Sequence, residues 1–180
     1  MLASFLTGCT TIKVQQVGSS STKPTVADNG YALLYDLMGN EKDVSKLSII
    51  KHEHEDFHTL ISDISKRCGE AYDQMTALGK ADASLKLTNT GLPLAETLTR
   101  KHEGSARGKQ LLLTRGKNLE LQLILTQNEA LTYATHLSAV LAENDTNTQR
   151  VQFAKQLNAD ITVLESRVNG MLSTNYMWVK

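Results

Sequence analysis

The densest grouping of side chains able to hold a metal or move a proton is His52-Glu53-His54-Glu55-Asp56-Phe57-His58. His54 and His58 are four residues apart, so on a helix they share a face and both can reach one ion. Glu55 and His58 form an E-x-x-H pair, the i, i+3 element of di-iron bundles. Those sites need a second such pair on another helix and two further Glu residues. No second E-x-x-H occurs in the chain, and Glu55 faces solvent whenever His54 faces inward. A run of alternating His and Glu more often forms a solvated face with one hydrogen-bonded inward His, and that reading outweighs metal binding here. A looser grouping of Cys68, His102 and His136 is weaker still, because His136 lies off the apolar stripe of its own segment.

The cluster sits within a longer pattern. Leu47, Ile50, His54, Phe57, Ile61, Ile64, Cys68, Ala71, Met75 and Leu78 follow at steps of three and four, which places them on one helical stripe. The pattern holds for roughly five heptads, as in bundle packing, and predicts one helix from Asp43 to Gly79. Ahead of it, Tyr31, Leu34, Leu37 and Met38 predict a short helix that begins near Thr25–Asp28 and ends at Gly39.

After it, Pro93 opens a segment to Gly108 with a thin face of Leu94, Leu98 and His102. Gly104, Gly108 and Gly116 are points where this segment can kink or end. From Leu113 a stripe runs through Glu120, Leu123, Gln127, Ala134 and Leu141, with two polar residues on it. Thr146 to Gln149 reads as a capping box, followed by a clean stripe of Ala154, Leu157, Ile161, Leu164 and Val168. Tyr176, Met177 and Trp178 form an aromatic tail expected to fold back. These elements predict an all-α fold: an antiparallel up-down four-helix bundle with a short N-terminal helix.

Glu120 and His54 then fall at similar heights, because alternate helices of such a bundle run parallel. A buried carboxylate needs a partner. A His54–Glu120 pair provides one without any metal, and Gln127 can extend the network. The alternative is a ferritin-like metal-binding or oxidoreductase bundle using His54, His58 and Glu120.

Composition narrows the classes. The 180 residues carry no net charge, whereas a nucleic-acid binder needs a basic face. No Gly-rich phosphate loop, G-x-S-x-G elbow or paired C-x-x-C is present. No run of about 18 apolar residues reads as a membrane span. Of the two cysteines, Cys68 lies on the apolar stripe.

Cys9 follows Leu6-Thr7-Gly8. This run resembles the lipobox of bacterial lipoproteins, in which signal peptidase cuts before a Cys that receives diacylglycerol. The resemblance implies a residual signal peptide at 1–8, a lipidated Cys9 opening a flexible tether at 9–24, and a helical-bundle domain at 25–180. Gly18-Ser19-Ser20-Ser21-Thr22 suits that tether. Met1 to Phe5 lacks the basic n-region and the apolar stretch of about 7–15 residues that a signal peptide requires, so the start of translation is expected upstream. Thr10 after the cysteine resembles the outer-membrane sorting case, with the periplasmic face of the outer membrane as the location. The bland alternative is a chance LTGC in a cytosolic helical protein.

Helix order and lengths from Tyr31 to Leu172, the Ala/Leu-rich run Ala71–Leu78 and Leu92-Pro93 resemble uncharacterised, exported bacterial helix bundles of ferritin-like shape. That resemblance implies a His where this chain has Cys68, and another near Leu131. Neither is present. The leading expectation is a lipid-anchored envelope protein whose bundle binds or scaffolds a partner without catalysis, with no cofactor beyond the lipid and no nucleic acid.

Overall fold

A computed structural model describes residues 26–48 and 54–176. They form α1 (Val26–Glu41), α2 (Ser45–Ser48), α3 (Glu55–Ala81), α4 (Leu94–Leu113), α5 (Gly116–Asn144) and α6 (Thr148–Asn175), with no strand among the described residues. The fold is all-α. The core forms where α1, α3, α5 and α6 turn their apolar stripes toward one another. Phe57, Ile61, Ile64, Cys68, Ala71 and Met75 of α3 are buried, at the three- and four-residue steps seen in the sequence. Leu119, Leu123, Leu131, Ala134 and Leu141 of α5 meet Ala154, Leu157, Ile161 and Val168 of α6 in the same core.

Side-chain pairs fix the alignment of neighbours. Along α3 and α6, Asp63 meets Arg167, Arg67 meets Asp160 and Asp82 meets Arg150, so positions descend on α6 as they ascend on α3. Along α1 and α3, Tyr35 stacks on Tyr72 with ring centroids 4.2 Å apart. Seven residues further on, just past the end of α1, the Lys42 carbonyl accepts from Ser65. The Lys42 ammonium also lies 3.7 Å from the centre of the Tyr72 ring, a cation–π contact. Gly30 lets α1 approach α5, since a Cβ there would stand 2.7 Å from Leu141.

Three expectations need correction. The continuous helix from Asp43 to Gly79 is not found: α3 begins only at Glu55, and His54 is its N-cap in an extended conformation, φ −118° and ψ 128°. The reason lies in the His54 amide, which donates to a carboxylate on α5 rather than to a helical carbonyl. Second, the short helix runs through Gly39 to Glu41 and is a full member of the core, with Tyr31, Ala32, Leu34 and Met38 wholly buried. The segment expected as a bundle helix, α4, is not: only Leu111 is buried on it, and Leu94, Leu98, Leu112 and Leu113 are exposed. Its thin apolar face and charged remainder give it too little area to bury, at about 25 cal/mol per Å². Third, the T-x-x-Q capping box is displaced by one residue. Asn147, not Thr146, caps α6, its side chain accepting from the Arg150 amide.

That cap belongs to a polar knot at the end where α3 stops and α6 starts. The Arg150 guanidinium donates to both oxygens of Asp145, at 2.6 and 2.8 Å. It also reaches Asp82 across the connection. A bidentate, charge-assisted pair is among the stronger hydrogen-bonded units. The Asp145 side chain is 2% exposed. The Arg150 bond, with help from the Asn147 amide, lowers its pKa from 3.8 to about 2 against the opposing effect of desolvation.

The sign follows from linkage. A carboxyl whose folded pKa is depressed contributes stability above its unfolded pKa and loses it as the pH falls through the folded one. Asp145 therefore contributes on the order of 2 kcal/mol at neutral pH, lost between about pH 4 and pH 2. Chemical denaturation across that range should show the fall in the wild type, and Asp145→Asn should flatten it by about that amount. Equal slopes for the two proteins would show that the pair contributes nothing.

Candidate functional site

Glu120 lies in the second turn of α5, with no exposed surface. Its carboxylate is the meeting point of three helix ends. Oε1 accepts from the His54 backbone amide at 3.0 Å, and Oε2 lies 2.7 Å from His54 Nδ1. The Tyr176 hydroxyl, at the C-cap of α6, donates to Oε2 at 3.1 Å. A carboxylate only accepts, so His54 is held with a proton on Nδ1. The position also suits the charge: the carboxylate stands against the amide that opens α3, at the positive end of that helix. In a capping box the acid reaching the N-cap amide comes from the third position of the same helix. Here it comes from another helix.

The structure thus brings His54 and Glu120 together, with a difference in detail. The His54 side chain is 48% exposed, so it roofs the carboxylate rather than filling the core, because an N-cap residue stands outside the helical stripe. Tyr176, from the aromatic tail, is the third member; Met177 and Trp178 lie outside the described residues. His58 is partly buried one turn along α3, and Glu55 is exposed. His52, Glu53 and Cys9 lie outside the described residues.

The second grouping does not assemble. Cys68 is a buried free thiol whose pKa burial pushes up to about 12, while His102 and His136 are both exposed. Among the described residues no three His, Cys, Asp or Glu groups converge as a metal would require.

Gln127, expected to extend the His54–Glu120 network, pairs instead with Glu41 of α1, a residue the sequence did not single out. Gln127, 1% exposed, donates from Nε2 to Glu41 Oε2 at 2.6 Å. Its own Oε1 is buried and has no hydrogen-bond partner. Burial raises the Glu41 carboxyl above its ordinary range, and the Gln127 bond lowers it in part. Both residues line a cleft of about 850 Å³ between α4 and the core helices. The cleft exists because α4 stands away from the body: a Cβ added at Gly104 or Gly108 would meet nothing within 4 Å. The missed signal was Glu41, which continues the spacing of Leu34 and Met38 beyond the expected stop at Gly39.

No family model matches the chain, and no curated protein matches its sequence. Two solved structures share the fold. A DUF305 fragment from Deinococcus radiodurans aligns with a TM-score of 0.66 at 14% identity, covering 84% of this chain and 99% of that one. A Streptomyces coelicolor protein described as a secreted DUF305 protein aligns at 0.65 and 16%, covering 82% and 92%.

Removing Glu120 takes the acceptor from the His54 amide, the His54 ring and the Tyr176 hydroxyl at once. Glu120→Leu should cost about 1–3 kcal/mol, the range for leaving such groups unsatisfied; the low end applies where water reaches His54. In a double-mutant cycle with His54→Ala, the two losses should fall short of additive by about 0.5–3 kcal/mol. Additive losses in urea denaturation would mean that the pair does not act as a unit.

Proposed function

We propose that this chain is an exported, lipid-anchored envelope protein whose helical domain binds a small ligand without catalysing a reaction. The cleft between α4 and the core carries the binding part of this reading. A helix with one buried residue, held off the body over a cleft of about 850 Å³, has the concave form and the size of small-molecule sites. The descending side-chain pairings between neighbours support an antiparallel four-helix bundle as the platform, made of α1, α3, α5 and α6. The Glu120 pin lies near the opposite ends of α3 and α5 from the Arg150 knot. It positions helices rather than reacting groups, since its carboxylate is enclosed by its own partners.

The anchoring part rests on the Leu6-Thr7-Gly8-Cys9 run and the polar stretch after it. That one relative in fold is described as secreted agrees with export. No described helix is long and apolar enough to cross a membrane, so in this reading the lipid on Cys9 is the attachment to the outer membrane, and residues 9–24 are the tether to the domain at 25–180.

The full-length gene product should sediment with membranes, and Cys9→Ser should move it to the soluble fraction. A mature protein with an intact N-terminus ahead of Cys9 would contradict the anchor. For the cleft, native mass spectrometry of protein extracted from its own host in mild detergent should show a non-covalent small-molecule adduct. Gly104→Trp, which fills open space, should lose it. A bare mass for the wild type would contradict the binding role.

A further inference from the structure

We propose that the α4 cleft binds a small organic cation through a primary ammonium group, which donates to the Glu41 carboxylate and to Gln127 Oε1 together. The proposal rests on reading the cleft as a binding site and names the chemistry of its ligand.

The first ground is an unmet acceptor. Buried side-chain oxygens nearly always have a partner, and leaving one without is destabilising. Gln127 is 1% exposed and lines the cleft. Its amide orientation is set by Glu41: Nε2 must face the carboxylate at 2.6 Å, which leaves Oε1 as the atom without a partner. Turning the amide over would set oxygen against oxygen. The missing group is therefore a donor.

The second ground is charge. Glu41 accepts from Gln127, and among the described residues it takes part in none of the ion pairs. The two arginines of the opposite wall are directed elsewhere. Arg100 is held by Glu96 at 2.7 Å, and Arg107 by Glu103 and Glu129 at 2.8 and 2.7 Å. Lys101 is the remaining basic residue lining the cleft, and among the described residues it forms no ion pair with Glu41. A carboxylate set next to an unmet acceptor calls for a group that is both positive and rich in donors. A primary ammonium has three N–H bonds and a full charge; a neutral alcohol has one donor and no charge, and a quaternary ammonium has the charge and no donor.

Isothermal titration of the full-length protein in detergent separates these cases. The probes are n-butylamine, Nα-acetyl-lysine methylamide, n-butanol and tetramethylammonium. The amines should bind, and butanol and tetramethylammonium should bind at least tenfold more weakly. Glu41→Gln removes the charge with the shape kept, and Gln127→Met removes the acceptor. Each should weaken amine binding at least tenfold while the melting temperature shows the fold intact. Whichever of butylamine and the lysine derivative binds more tightly identifies a free amine or a lysyl side chain as the source. Equal binding of butanol or tetramethylammonium, undiminished binding by Glu41→Gln in a folded protein, or no heat from either amine at millimolar concentration would each overturn the proposal. A native adduct lost in Gly104→Trp but containing no amine would overturn this assignment and leave the cleft's binding role standing.

Discussion

An ionisable carboxyl with no exposed surface sets the terms for one end of this molecule. Removing Glu120 from water carries a penalty of several kcal/mol, which good hydrogen bonds can offset. Its partners come from the start of α3 and the end of α6, so the offset exists only when three helix ends meet in one register. A shift of α3 by one residue along its axis, about 1.5 Å, would part the His54 amide from the acid. The net stability gained is modest, since buried ionic groups often add little. The gain is in alignment: apolar stripes tolerate sliding, and a carboxylate with fixed partners does not.

The far end is governed by a similar rule with the signs reversed. Arg150, whose side chain is 13% exposed, is enclosed by Asp145 and Asp82, joining the end of α3 to the α5–α6 connection. Between the two polar ends the interior is almost wholly apolar. The exceptions are informative. Ser138 is satisfied by the carbonyl of Ala134 on its own helix. Thr132 and Thr135 donate to Glu165 and tie α5 to α6. Gln127 alone among these is left with an oxygen unmatched, and it is the one that borders the cleft. The helix that forms the far wall of that cleft obeys a different balance. Its exposed leucines and two open glycines give α4 little packing energy, so its place beside the body depends on few contacts.

Much of this was legible in the sequence. The period of three and four located the stripes of α3, α5 and α6, because a helix that buries one face must repeat near 3.6 residues. Glu120 and Gln127 stood out as polar residues on an otherwise apolar stripe, and both are buried. What the period cannot show is whether a helix is continuous. Leu47, Ile50, His54 and Phe57 keep the spacing across a place where the backbone is extended, because the break is imposed by a hydrogen bond to a residue 66 positions away. Nor can it show which helices share the core. The charged surroundings of Leu94 and Leu98 were visible, yet that α1 and not this segment contributes its apolar face to the core rests on tertiary contacts. Glu41 and Arg150 were missed for a common reason: each is a charged residue near a helix end, where most such residues are solvated, and only tertiary contacts distinguish them.

Glu120 holds the N-cap amide of α3, that of His54. Amide hydrogen exchange at His54 tests it directly. The opening amides of a helix have no intrahelical acceptor and ordinarily exchange fast. The His54 amide should be protected to a degree approaching the core amides of α3, while those of Glu55 and Asp56 exchange quickly beside it. Exchange at His54 as fast as at its two neighbours would contradict it.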